Sequence, residues 1–231
     1  PRRRMLPVAA MALFIDSLGI GIIIPVAPQL VMELSGLPLA DAAPIAGWLT
    51  LSYALMQFVF SPILGNLSDR YGRKPILLAS LAALAIDYVL IGLAPTLAWL
   101  FVGRIIAGIA GATFATANAV VADIIPAAQR AKYFGFNGAA WGLGFVIGPV
   151  IGGLLGQYGP RVPFFAAAAF TAVNFLIALA VMRETLPPAA RREFSARRAN
   201  ALGALRAMHR IPGAMWVLFV LLMYQIGHDT L

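Results

Sequence analysis

Long, predominantly apolar stretches alternate with short polar ones along the chain. Six apolar runs can be delimited: Pro7 to Leu34, Ala42 to Leu67, Pro75 to Ala94, Leu97 to Ile124, Tyr133 to Tyr158 and Val162 to Met182. A seventh opens near Gly213 and is still running at Leu231. A bilayer hydrocarbon core is about 30 Å thick, so a spanning helix needs roughly 20 mostly apolar residues. Strands of a membrane barrel would be alternating segments of about ten residues, shorter and less uniform than these runs. Helices satisfy their own backbone hydrogen bonds in lipid, so helices are predicted. The expected organisation is an all-α membrane fold. A six-helix bundle covers residues 1–183, a basic linker 184–211, and the start of a seventh helix 212–231.

Polar positions between the runs set the expected orientation. Of the 17 Lys and Arg residues, 15 fall before span one, between spans two and three, between four and five, or after six. The opposite loops hold only Arg161, and Arg104 lies inside span four. The positive-inside rule therefore predicts a cytoplasmic amino terminus. The first run has no small-residue cleavage site and outlasts a signal peptide, so it is expected to be a retained helix. The segment from Glu184 to Ile211 is Arg-rich and opens with Pro187 and Pro188; a surface helix from Ala199 to His209 is expected within it. Two readings stand for this segment: a solvated loop that enforces topology, or a surface for anionic lipid head groups.

Composition agrees with this picture and removes several alternatives. Hydrophobic residues make up 61% of the chain and charged residues 11%, against roughly 45–50% and about 25% in soluble domains. Cysteine is absent, which excludes disulfides, thiolate nucleophiles and cysteine metal sites. His209 and His228 form no ligand-like pair, so no metal site is expected. The net charge of +8 lies between apolar runs, as juxtamembrane charge does, and does not point to nucleic acid.

Charges inside the spans are the candidate chemistry. Asp16 lies about 14 Å into span one and Asp87 about 18 Å into span three, at 1.5 Å per residue. Both fall near the midplane, where a carboxylate costs at least roughly 2.5–3.5 kcal/mol. Each must face a cavity, find a partner or take up a proton. Each is thus a candidate proton or cationic-substrate site, with a structural interhelical hydrogen bond as the alternative. Arg104, about 10 Å into span four, is expected either to snorkel or to pair with a carboxylate as a permanent charge. Gln57 and Asn118 are uncharged polar groups within spans, read as interhelical glue or ligand contacts.

Two motifs stand out. The fifth span carries Gly144, Gly148, Gly152 and Gly156, each four apart, with Pro149 and Gly153 between them. Residues four apart share a helix face, which makes a smooth stripe for close approach of another backbone. Pro149 is expected to kink this helix. The loop Gly65-Asn66-Leu67-Ser68-Asp69-Arg70-Tyr71-Gly72-Arg73-Lys74-Pro75 crowds a carboxylate and three bases into one short connection. Gly72 suits a tight reversal with positive φ. Such a cluster can latch two helices by ion pairs and release them when they move. The run Gly142 to Gly148 also fits a dinucleotide-binding pattern loosely, but it lies mid-span with no strand before it.

These residues carry a family resemblance. The 65–75 loop resembles the signature between spans two and three of the major facilitator superfamily. Gly144, Gly148, Pro149, Gly152 and Gly153 resemble the span-five signature of its antiporters, and Arg104 with Gly108 its span-four motif. More narrowly, Leu13 to Gly21 with Pro25 and Pro28, Asp87-Tyr88, and Ala122-Asp123 followed by Gln129-Arg130 and Phe134-Gly135 look like the tetracycline/proton antiporters. The resemblance implies a twelve-helix fold of two six-helix bundles, each with 3+3 inverted repeats, in a bacterial inner membrane. It implies efflux of a drug-like molecule, arriving as a divalent-metal chelate, in exchange for protons, with no cofactor beyond the proton gradient. Asp16 and Asp87 would serve coupling and substrate contact, and Arg104 would assist proton release. Asp69, Arg70 and Arg73 would form the cytoplasmic gate with Asp123 and Arg130 as neighbours, and Gly144 to Gly153 would seal against leak. The remaining partners would be membrane lipid and the second half of the same transporter. Other exporters of drugs, sugars or metabolites share these motifs. A passive channel is disfavoured because Asp16 and Asp87 belong to no charged ring. An enzyme is disfavoured because no nucleophile–base pair lies at midplane depth.

Overall fold

Each apolar run becomes helix because lipid offers its backbone no other partner. The computed structural model describes residues 5–111 and 113–196, together with 199, 200, 203, 209, 213, 215–217, 219, 220 and 223. The expected surface helix and seventh span therefore lie largely outside the described residues. Eight α-helices build the described bundle: α1 (Met5–Ile23), α2 (Ala27–Ser35), α3 (Leu39–Tyr71), α4 (Arg73–Gly92), α5 (Leu97–Ala110), α6 (Thr113–Ile124), α7 (Ala127–Gly156) and α8 (Val162–Val181). No strand occurs among the described residues.

Six segments are long and apolar enough to cross a membrane, as expected, but two of the six spans are broken. The first breaks at residues 24–26, where Pro25 cannot donate a backbone hydrogen bond and Pro28 starts the following helix α2. The fourth breaks at Gly111, whose φ of −67° and ψ of 43° leave the helical region. Two ends also differ from expectation. Spans two and five are longer, because α3 runs on to Tyr71 and α7 begins at Ala127. Helix α7 is unbroken through Pro149, and α3 through Pro44 and Pro62.

Helix α1 is the centre of the bundle. It packs on α7, α8 and α6, while α4 packs on α8 and α5, and α3 on α5. The glycine stripe explains the tightest of these contacts. A Cβ at Gly144 would collide with Ser17 Oγ and Phe14 O, at Gly148 with Gly21, and at Gly152 with the Ile22 carbonyl. A Cβ at Gly156 would meet Val26 Cγ1 at 2.8 Å. Gly153 faces open space. Leu13, Ile22, Leu77, Leu81, Ile91 and Phe164 fill the interior.

Candidate functional site

Halfway along α1, Asp16 is buried at 8% exposure and opens onto a cavity of about 830 Å³. Its walls come from α1 to α8 and are mostly apolar, including Ile20, Leu49, Leu84, Ile91 and Leu100. The few polar groups are Asp16, Thr50, Tyr53, Gln57, Tyr88, Arg104 and Thr113. Apolar walls with few converging polar groups are the usual form of a small-molecule site. Phe114 and Trp141 add an aromatic wall, edge to face at 6.4 Å, and Phe145 stacks behind Trp141 at 5.1 Å. The break after α5 places Gly111 and Thr113 at the cavity wall. Thr113 is itself buried.

Asp87 lies behind this wall rather than in it. It is 0% exposed, and neither carboxylate oxygen has a hydrogen-bond partner among the described residues. The Arg104 guanidinium approaches to 3.9 Å, close enough for attraction and too far for a hydrogen bond. Arg104 itself lines the cavity. It therefore pairs with a carboxylate, one of the two arrangements expected for it, and connects the buried acid to the open space. Gly103 makes the slot: a Cβ there would come within 2.6 Å of Asp87 Oδ1. A buried carboxylate with only a distant counter-charge and no hydrogen bond is a costly charge that a proton or a cation relieves.

Gln57 and Asn118 part company. Gln57 lines the cavity and donates to the Tyr53 hydroxyl at 3.1 Å, one turn away on the same helix. Asn118 accepts from Asn137 at 3.0 Å, joining α6 to α7, and is not among the cavity-lining residues.

The basic end of the bundle carries a second constellation. Arg73 opens α4 and forms ion pairs with Asp69 at 2.7 Å and Asp123 at 2.9 Å; it also donates to Ser68 Oγ at 3.2 Å. One guanidinium thus joins the ends of α3, α4 and α6. Among the described residues Arg130 pairs with no carboxylate. It donates to the carbonyls of Ala122 and Ile125, capping α6 at its negative dipole end. Arg70 lies over the Tyr71 ring at 5.1 Å. Gly72 takes a φ of +108°. Gly65 has open space around its Cβ position, so nothing packs against it there.

Sequence reasoning missed what covers this constellation. Glu184 accepts from the backbone N–H groups of Arg73 at 2.9 Å and Lys74 at 3.2 Å, capping α4 from 111 residues away. Its carboxylate occupies the space a Gly72 side chain would need. Thr185 donates to Asp123 at 3.3 Å. Arg192 N–H donates to Asp69 O at 3.1 Å, and Asn66 exchanges two hydrogen bonds with the Ser195 backbone. The first part of the linker is thus a strap pinned to the bundle at these points, although residues 187–194 stay exposed. The available signal was Glu184, two residues after the sixth span and one of only two acids in an Arg-rich segment.

The chain's relatives agree with this geometry. Residues 9–229 match the sequence profile of the Major Facilitator Superfamily. The class G tetracycline resistance protein of Vibrio anguillarum is 40% identical over 230 residues, covering 92% of this chain and 58% of that protein. The class B tetracycline resistance protein of Escherichia coli is 45% identical over 178 residues, 77% of this chain and 44% of that protein. Multidrug resistance protein 1 of Bacillus subtilis is 38% identical over 173 residues, 74% and 43%. Among solved structures, the human organic anion transporter MFSD10 (TETRAN) superposes with a TM-score of 0.76 at 25% identity, over 89% of this chain and 55% of that one. The chain spans about half the length of the curated relatives it matches. With six spanning helices around a central cavity and the ion-paired loop at one end, this multi-pass membrane chain belongs to the major facilitator superfamily.

Proposed function

We propose that the whole transporter, of which this chain forms one six-helix half, exports a tetracycline-like drug from a bacterial cell in exchange for protons. The observation that carries the reading is the pair of midplane carboxylates. Asp16 stands at the wall of an amphipathic cavity, and Asp87 is buried behind it beside Arg104. A cationic drug or drug–metal chelate and a proton would compete for the same negative charge. That competition couples inward proton movement to outward drug movement when the two halves rock about the midplane. The basic end would face the cytoplasm, in line with the positive-inside rule, and the Asp69–Arg73–Asp123 cluster would latch that mouth. Supporting the drug class are the tetracycline resistance proteins among the relatives.

The test uses inside-out membrane vesicles carrying the whole transporter. Magnesium-bound tetracycline should accumulate against its gradient when the vesicle interior is acid, and accumulation should stop when the pH gradient is collapsed. Equilibration at an unchanged rate after collapse would favour a passive pathway. Absence of tetracycline movement alongside proton-driven uptake of another compound would move the substrate class and leave the coupling in place.

A further inference from the structure

Gly72 and Gly159, which lie 87 residues apart, both take positive φ, +108° and +126°. The same offset relates the first three spans to the second three. It carries Ile23, the last residue of α1, onto Ala110, the last residue of α5, so the two span breaks coincide. It carries α3 onto α7 and α4 onto α8 to within two residues at each end. Around the two glycines it aligns Pro62 with Pro149, Gly65 with Gly152, Leu67 with Leu154 and Tyr71 with Tyr158. Three spans separate the segments, so they lie at opposite ends of the bundle.

The contacts obey the same relation. Lys74 Nζ donates to Leu179 O at 2.8 Å, and Arg161 Nη1 donates to Gly92 O at 3.1 Å. The offset carries Lys74 onto Arg161 and Gly92 onto Leu179. The bond is therefore made twice, once at each end, with the roles of the repeats exchanged. In both places a base at the start of one repeat's third span reaches the last carbonyls of the other repeat's third span, where the helix dipole is negative. Arg161 also donates to Ala94 O at 2.9 Å and pairs with Glu33 Oε1 at 3.0 Å. Glu33 ends α2 as Asp123 ends α6, one helical turn from the aligned position. The charges Asp69, Arg70 and Arg73 have Gly156, Gln157 and Pro160 in their places. A single guanidinium thus does at one end what Arg73 and Lys74 share at the other.

We propose that Arg161 and Glu33, with the Gly92 and Ala94 carbonyls, form a second latch, one that fastens the two repeats to each other at the extracytoplasmic mouth while Lys74 fastens them at the cytoplasmic one. It is the inverted counterpart of the cytoplasmic one. The proposal rests on the alternating-access reading above. It also explains why the outer loops keep a base at all: its charge is committed to the end of α4 and to Glu33.

This half has no cysteine, so once any cysteines of the second half are replaced, single cysteines can report each mouth. Ala94→Cys reports the outer end and Ile125→Cys the cytoplasmic end; both positions are buried. In the whole transporter, a membrane-impermeant maleimide is applied from each side, without substrate. Arg161→Gln should raise labelling at position 94 by about tenfold, as local opening does, and leave position 125 unchanged. Lys74→Gln should do the reverse. Arg161→Lys should stay protected, because Lys74 already makes the corresponding bond. Drug export by Arg161→Gln should fall several-fold with substrate KM unchanged, since no latch residue lines the cavity. Native protection in Arg161→Gln, equal loss in Arg161→Lys, or opening at position 94 with export unchanged would each overturn the proposal. Should Arg161→Gln fail to insert, Glu33→Gln carries the test with the caps intact: faster labelling at 94 is expected, and none overturns it. Labelling needs no transport, so failure of proton-coupled export would leave the latch result standing.

Discussion

At the scale of single residues, spacing and depth were readable where their consequence is local. Four glycines at intervals of four announce a smooth helix face whatever that face meets, and α1 meets it. Gly152→Val should separate α1 from α7 and cost about 1–3 kcal/mol or more, as overpacking does. Gly153→Ala, pointing into open space, should be near neutral. Thermal unfolding in detergent checks both, and equal losses would contradict the packing argument. Asp16 and Asp87 were visible as charges where charge is expensive. Their different settings were not, because depth along a helix does not say which way the side chain points. Asn118 was ambiguous for the same reason: its partner, Asn137, lies across two helices.

Elements were legible as spans but not in their joints. An apolar run looks continuous through Gly111, since hydrophobicity does not register a change of ψ. The strap that follows α8 was hidden by distance in sequence. Nothing near Glu184 indicates that it caps a helix begun 111 residues earlier. Glu184→Ala should leave the Arg73 and Lys74 N–H groups without their acceptor and lower stability by about 1 kcal/mol, the usual cost of a lost cap. Gly72→Ala should cost more, since it adds an unfavourable positive φ to a collision with the Glu184 carboxylate. Protease cleavage within residues 184–195 should quicken in both variants. Unchanged cleavage in Gly72→Ala would argue that the strap is not docked there.

For the whole molecule, the six-span architecture followed from length, hydrophobicity and charge asymmetry, and the superfamily resemblance from three motifs: the 65–75 loop, the span-five glycines and Arg104 with Gly108. The family resemblance implied inverted repeats, but which positions they pair emerged only when contacts at both ends could be compared, because eleven aligned positions with five identities are a faint signal in an apolar chain. Asymmetry within that relation is where the proposed function resides. Asp87 maps onto Asn174, which is buried and donates to the Ala12 carbonyl at 3.0 Å. One repeat thus has a hydrogen-bonded amide where the other has an acid that, among the described residues, has the Arg104 charge at 3.9 Å and no hydrogen bond. The most direct test of proton-coupled export is tetracycline-driven proton flux in vesicles containing the whole transporter, compared with Asp16→Asn and Asp87→Asn. Each variant should lose most of the flux while remaining folded and inserted. Undiminished flux in both would contradict the assignment of the membrane carboxylates.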